Sequence, residues 1–474
     1  MQVRHEARML IAGEWRHGSV RRESVSPYDG GVVGAFPESD AADLEDALRA
    51  ASAAKAEVAA TPALQRAAML RKAAALIGER AEQVARIMTA EIGKPIRDSR
   101  IEVARCTGLL TMCAEEAVRI DGEKVPVDGH PQGDGKLAVM WRFPVGVVAG
   151  ITPFNAPFNL AWHKVAPAIA AGNAVILKAP AQGALVVHEL ARIVADAGIP
   201  AGWVNVLYGD TVGPALVRDP RVDFITFTGS ARVGEQIKAS CGLRRVALEL
   251  GGTGPTIVHA DADIPATAPV CALNATRLAG QSCLSVQNLH VHASRYDAFV
   301  EAFTAQLKRL KLGDPNEDDT DVGTLVNEAA AKRIESWVAE AVAGGARLLT
   351  GGKRHGAQFE PTVIVDANRG MKVVEEEIFG PVAVVHRYSD FDEVLARIND
   401  TPYGLQCGLF TNDMKLAFKA IRALRFGGVV VNGSSTWRTD QMPYGGIKNS
   451  GIGREGPRYA IRDMTDERLV IFNL

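Results

Sequence analysis

Cysteine is scarce: six residues, at 106, 113, 241, 271, 283 and 407, are scattered through 474 with no Cys-x-x-Cys pair. That scarcity argues against a disulfide scaffold or a cysteine-based zinc site, so no metal is expected, and it suits a reducing, cytoplasmic setting. An excess of either charge is lacking too. The net charge is -2 with both signs interspersed, which leaves no basic stripe for a phosphate backbone and argues against a nucleic-acid partner. Nor is there an apolar run of the ~20 residues that a bilayer span needs. The most apolar stretch, Val145 to Leu177, is interrupted by Pro153, Asn155, Pro157, His163, Lys164, Pro167 and Asn173, so no membrane association is expected. Met1 to Leu10 mixes Arg4, His5, Glu6 and Arg8 with isolated apolar residues and lacks the apolar centre of a secretory signal, so export is not expected. Internal repeats and low-complexity segments are absent.

What is present is ordinary globular material, 47% hydrophobic and 23% charged, long enough for two or three domains. Residues 40–119 read as three Ala-rich helices, one over Asp40 to Ala59, one after Pro62 and one after Pro95. From Val145 the texture alternates: apolar Val145 to Ile151, helical Trp162 to Ala170, apolar Ala174 to Leu177, helical Ala184 to Ala197. Short apolar runs at Val204 to Leu207, Phe224 to Phe227 and Val246 to Leu250 continue it. Continuous apolar strands between helices predict an α/β fold with a parallel sheet covered on both faces. A second alternating block, with strands expected at Leu289 to His292, Pro381 to Tyr388 and Gly428 to Val431, predicts a second α/β domain. Arg468 to Phe472 reads as a strand with no core of its own, expected to pair elsewhere, on a partner subunit.

Three local patterns carry chemistry. Gly280-Gln281-Ser282-Cys283 sets a thiol where the two blocks meet, and a thiol with access and a relieved pKa is a nucleophile. Leu248-Glu249-Leu250-Gly251-Gly252 ends an apolar strand on a carboxylate, and burial is how a carboxyl becomes a general base that works near neutrality. Thr152 to Asn159 carries Asn155 between two prolines that fix the backbone, suiting its amide to an oxyanion donor. Alone, each has an ordinary structural explanation: a buried apolar cysteine, a carboxylate satisfied by the backbone, a turn-forming asparagine.

Taken in order with Phe227-Thr228-Gly229-Ser230, Glu377-Ile378-Phe379-Gly380-Pro381 and Pro443 to Gly451, these patterns resemble the aldehyde dehydrogenase superfamily over essentially the whole chain. The resemblance implies a Rossmann-like cofactor domain of residues 1–120 and 145–250, a catalytic domain of 251–440, and a small β oligomerisation arm of 121–144 and 455–474. It implies Cys283 as nucleophile, Asn155 with the Cys283 N–H as oxyanion donors, and Glu249 as the base that hydrolyses a thioester. For NAD or NADP it implies Lys178 at the adenosine ribose, Gly229 and Ser230 at the pyrophosphate, Glu377 at the nicotinamide ribose, and Phe379 and Phe154 by the nicotinamide. Gly209 and Gly213 have only loose glycine-loop spacing and read equally as turn and packing glycines. A homodimer or homotetramer is implied.

The chain departs from that pattern in places. Members that select NAD commonly have Glu three residues after the lysine; here Ala181 stands there, which removes a repulsion, leaves Lys178 free to meet a phosphate and predicts tolerance of NADP. Ser282 occupies a position that is often Arg in phosphate-aldehyde relatives. Arg105 and Arg438 resemble anion-binding positions but read equally as salt-bridge residues. Ala156, Asn159 and His163 give the substrate passage a less aromatic wall, with His163 expected there as a wall residue. A small polar or anionic aldehyde is the expected substrate. Thr253 has no functional account, and the role of Lys448 stays open. Two other readings are a coenzyme A-acylating relative, disfavoured by Glu249, and a non-enzymatic scaffold with the same fold, disfavoured by Cys283, Asn155, Lys178 and Glu377 together.

Overall fold

Five aliphatic segments, each joined to the next along the chain by a helix, make the middle of an eight-stranded sheet. In the computed structural model, which describes residues 5–474, its order is Gly451–Ile452, Arg245–Glu249, Phe224–Thr228, Val147–Ile151, Ala174–Lys178, Val204–Leu207, Met9–Ile11 and Glu14–Arg16. The five central strands are parallel and almost wholly buried, which is why they read as unbroken apolar runs. Antiparallel pieces close both edges. The three-residue strands near the N-terminus gave no periodic signal and were not expected. Gly451–Ile452 brings a glycine-rich C-terminal loop beside the end of Arg245–Glu249, with Gly451 opposite Glu249.

The Ala-rich region contains four helices rather than three: Ala41–Ala60, Ala63–Glu79, Ala81–Ile92 and Ile96–Ala117. Asp40 accepts from the Ala42 and Asp43 N–H groups in a capping box that starts the first. The unforeseen break is at Arg80, whose φ of -104° and ψ of 8° leave the helical region although neither proline nor glycine stands there. Gly93, at φ 70°, ends the third helix in a left-handed cap.

The second sheet runs Arg347–Thr350, Thr362–Val365, Val382–Tyr388, Asn288–His292, Thr256–Val258, Gln406–Phe410 and Gly428–Val431, parallel except at its first pair. The expected α/β class is thus observed in both blocks.

The C-terminal strand is longer than expected, and its partner lies in the same chain. Thr465–Asn473 pairs antiparallel with Lys136–Pro144, and Glu123–Val125 adds a third strand. Preceding it, Pro457–Asp463 is a helix packed on Pro157–Ala171 and Ile96–Ala117, with Ile461 and Met464 in the core beneath the first sheet. The small sheet keeps Trp141, Leu469, Ile471 and Phe472 exposed. Of the reading of Met1 to Leu10, the part on residues 1–4 lies outside the described residues. Among the described residues no helix is long and apolar enough to cross a membrane.

Candidate active site

The loop that carries Asn155 begins where Val147–Ile151 ends and runs into the wholly buried helix Pro157–Ala171. That helix lacks a side-chain cap of its own; instead Glu102, from another helix, accepts from the Phe158 and Asn159 N–H groups at 3.0 Å each. Lys94 pairs with Glu102, both buried, and donates to the Asn155 carbonyl at 3.3 Å. A buried ion pair thus pins the loop from below. The Asn155 Nδ2 donates to the Gln281 carbonyl at 2.9 Å, two residues before the thiol.

Cys283 is presented by an unusual turn. After the helix Ile264–Thr276 the chain enters three successive left-handed residues, Leu278 (φ 56°, ψ 32°), Ala279 (φ 52°, ψ 36°) and Gly280 (φ 71°). For the two non-glycine residues this costs on the order of 1–2 kcal/mol each. A side chain at Gly280 would overlap the Gly380 carbonyl. The Gln281 amide holds the turn, donating to the carbonyls of Leu278 (3.2 Å) and Thr324 (3.3 Å) and accepting from the Val326 N–H (2.8 Å). As a result Cys283 is partly open to the cavity, whereas the other five cysteines are buried. Its Sγ lies 3.0 Å from the Tyr444 Oη. Burial pushes the thiol up to about 12, opposed by the Tyr444 hydrogen bond and reinforced by the Glu377 carboxylate.

Glu249 ends its strand 3% exposed, and among the described residues neither carboxylate oxygen has a hydrogen-bond partner. Burial, seconded by the negative charge of Glu455, raises this carboxyl well above its ordinary range, against the pull of Arg438 and Lys164. A Cβ at Gly445 would stand 2.7 Å from its Oε1, so the glycine that follows Tyr444 is what admits the carboxylate. Behind it lies a buried charge network. Glu455 accepts from Arg438 at 3.0 Å and Lys164 at 3.4 Å, Lys164 donates to Thr228 at 2.8 Å, and Asp440 joins His163 at 3.1 Å and the Arg105 Nε at 3.1 Å.

A cavity of about 470 Å³ brings together Cys283, Glu249 and Asn155 with Phe154, Asn159, Gly229, Ser230, Ser282, Glu377, Phe379, Arg105 and Arg438. Phe154 and Phe379 meet edge to face, centroids 5.9 Å apart. Glu377 accepts from the Gly252 N–H at 3.2 Å, and burial pushes its carboxyl up to about 7. The Ser282 Oγ accepts from the Leu284 N–H, and Asn159 reaches Cys106 at 3.6 Å. His163 does not line this cavity, contrary to expectation: it is 3% exposed and braces Asp440 and Arg438 from behind. Lys178, Gly209 and Gly213 also lie outside the cavity, at or just beyond the ends of neighbouring strands. Lys178 is not free: its Nζ binds the exposed Asp210 at 2.6 Å. Gly209 takes φ 86°, while Gly213 opens a six-residue helix with open space where a Cβ would be. Lys448 donates to the Asn399 and Thr401 carbonyls at 2.9 and 3.2 Å, a loop-bracing role.

The residues suit a dinucleotide. Ser230, extended at φ -69° and ψ 148°, precedes the ten-residue helix Ala231–Ser240 without capping it through its side chain, so the first amides of that helix remain open to a phosphate beside the cavity. Sequence reasoning missed Lys94, Glu102, Lys164, Asp210, Asp440 and Glu455 entirely. It passed over Tyr444 although that residue stands inside a motif it used.

The aldehyde dehydrogenase family model matches residues 15–470. The 3-sulfolactaldehyde dehydrogenase of Priestia aryabhattai is 43% identical over 98% of each chain. The structure of aldehyde dehydrogenase 21 from Physcomitrella patens, in complex with the reaction product succinate, superposes with a TM-score of 0.97 at 40% identity, covering 100% of this chain and 99% of that one. The NADP-dependent glyceraldehyde-3-phosphate dehydrogenase of Bacillus halodurans, complexed with NADP, gives a TM-score of 0.96 at 34% identity over 99% of each chain. With a match over nearly its whole length, the chain belongs to the aldehyde dehydrogenase family, enzymes that oxidise aldehydes with NAD or NADP.

Proposed function

We propose that the chain oxidises a small polar or anionic aldehyde to its carboxylic acid, with Cys283 as nucleophile, Asn155 as oxyanion donor and Glu249 as base. The observation that carries this reading is that one cavity gathers the only partly open cysteine, an amide fixed beside it and a buried, unpartnered carboxylate. The Cys283 sulfur bonds to the aldehyde carbon, and the resulting oxyanion is held by the Asn155 Nδ2–H and the Cys283 backbone N–H, a donor of this kind being worth roughly 3 kcal/mol. When bound, NAD(P)+ supplies the hydride acceptor that leaves a thioester on Cys283. Glu249 then takes a proton from water as the water's oxygen bonds to the thioester carbon; the C–S bond breaks, and the acid departs. Lys178 would hold the adenosine ribose, Gly229 and Ser230 the pyrophosphate, Glu377 the nicotinamide ribose, and Phe154 and Phe379 the ring.

Arg438 supports an anionic substrate. It lines the cavity, stacks on the Tyr444 ring at 3.8 Å and binds Glu455, yet its Nε has no partner among the described residues. Two relatives point the same way, one named for sulfolactaldehyde and one holding succinate. Arg438→Gln is expected to lower kcat/KM for a carboxylate- or sulfonate-bearing aldehyde about thirtyfold more than for a neutral aldehyde of equal length, since charged hydrogen bonds are worth about 2 kcal/mol. Equal losses on both substrates would remove Arg438 from anion recognition.

Cofactor choice turns on Ala181 and Asp210. Ala181 offers no carboxylate, and the Lys178–Asp210 pair is with an exposed partner, worth about 0–1 kcal/mol and easily displaced. An aldehyde panel read with both cofactors, with Cys283→Ala as control, is therefore expected to give NAD and NADP kcat/KM values within a hundredfold. A larger NAD preference would mean that Asp210 repels the 2'-phosphate. Exposed apolar side chains on both faces of the small sheet, Trp141 and Phe472 on one and Leu469 and Ile471 on the other, support a homodimer or homotetramer, and the six free cysteines support a cytoplasmic location.

A further inference from the structure

If Cys283 is the nucleophile, something must stabilise a sulfur anion at a site whose surroundings push the thiol up to about 12. Three charged groups face the sulfur. The Glu249 and Glu377 carboxylates disfavour an anion, and Arg438, which favours one, is already engaged by Glu455. The group within hydrogen-bond reach of Sγ is the Tyr444 hydroxyl, at 3.0 Å. Tyr444 is buried and rigidly held. Its backbone N–H reaches the carbonyls of Met442 (2.8 Å) and Glu455 (3.2 Å), its carbonyl accepts from the Glu455 N–H (2.6 Å), and Arg438 covers its ring.

We infer that Tyr444 is a positioning residue for the nucleophile: its hydroxyl donates to the Cys283 Sγ, fixing the sulfur toward the cavity and sharing its charge once it ionises. Burial and the neighbouring sulfur raise the phenol well above its ordinary range, so Tyr444 keeps its proton and acts as a donor rather than a base. On ionisation the thiol proton passes to solvent, the hydroxyl turns its own proton toward the sulfur, and the tyrosine stays neutral. This inference rests on the proposed role of Cys283.

The test is the pH profile of alkylation by iodoacetamide in the full-length enzyme, in which the thiolate bonds to the CH₂ carbon and iodide leaves, with the modified cysteine identified by peptide mass mapping. Tyr444→Phe keeps the ring under Arg438 and removes only the hydroxyl. It is expected to raise the pH midpoint by about one unit and to slow the reaction at pH 7 by up to about tenfold, since a hydrogen bond to a charged group is worth that much. A second variant carrying 3,5-difluorotyrosine at 444, a stronger donor of the same shape, is expected to move the midpoint down. A midpoint that stays the same in either variant, with modification still on Cys283, overturns the role of Tyr444 alone. Fast modification of a different cysteine in the wild type overturns the reading of Cys283 as well.

Discussion

Cys283→Ala is expected to lower kcat/KM for every aldehyde by at least about 10⁴-fold while cofactor affinity and melting temperature stay near wild type. Removing a covalent nucleophile typically costs 10⁴ to 10⁶, and Cys283 is partly open, so loss of its sulfur leaves little cavity strain. None of the other five cysteines can substitute. Cys106, Cys113, Cys271 and Cys407 are buried and do not line the cavity, and Cys241, also buried and outside it, donates only to backbone carbonyls. Steady-state formation of reduced nicotinamide, with titration calorimetry for cofactor, measures this. Residual turnover above one per cent would place the nucleophile elsewhere.

Glu249→Gln is expected to act on a different step. Its steady-state kcat should fall about 10² to 10⁴-fold, the usual contribution of a general base, while the first turnover still releases close to one equivalent of reduced nicotinamide per subunit. The pH profile carries the same signature. Burial raises the Glu249 carboxyl, so the water-activating carboxylate grows in as pH rises, above the ordinary carboxylate range. That rising limb should vanish in the glutamine variant. The sign for stability follows: with a folded pKa above the unfolded one, the protonated form favours the fold, and this contribution is full below the unfolded pKa and lost as pH rises through the folded pKa. Glu249→Gln, neutral at every pH, should therefore unfold no more readily than wild type near neutrality. A large drop in melting temperature would instead assign Glu249 a structural role.

What could be read from the sequence followed from burial and local pattern. Strands such as Ala174–Lys178 and Phe224–Thr228 are covered on both faces, so their composition alone betrays them. Met9–Ile11, only three residues long and one strand in from the sheet edge, and the helix break at Arg80 carry no such mark. The partner of Thr465–Asn473 lies more than 300 residues earlier in the chain, and pairing over that distance is a property of the fold rather than of either segment. The site divides in the same way. Asn155, Glu249 and Cys283 each stand in a short pattern with its own backbone logic. The hydrogen bond between Tyr444 and Cys283 spans 161 residues and that from Lys94 to Asn155 spans 61, and only the assembled fold makes those neighbours. Asp210 follows a glycine at φ 86°, and nothing in its local pattern announces that it reaches Lys178. His163 shows the opposite error. Its place on the helix after Asn155 suggested the cavity wall, but the helix is buried all round and turns the ring toward Asp440.

In the proposed mechanism a covalent acyl group passes through Cys283 and leaves by way of Glu249. The most direct measurement is the intact mass of Glu249→Gln mixed with aldehyde and NAD(P)+ and quenched in acid after one turnover, followed by peptide mapping. The predicted result is a mass gain equal to the acyl group, confined to the peptide that carries Cys283 and absent from a Cys283→Ala, Glu249→Gln double variant. An unmodified chain after a full first turnover, or an acyl group on any other residue, would contradict it.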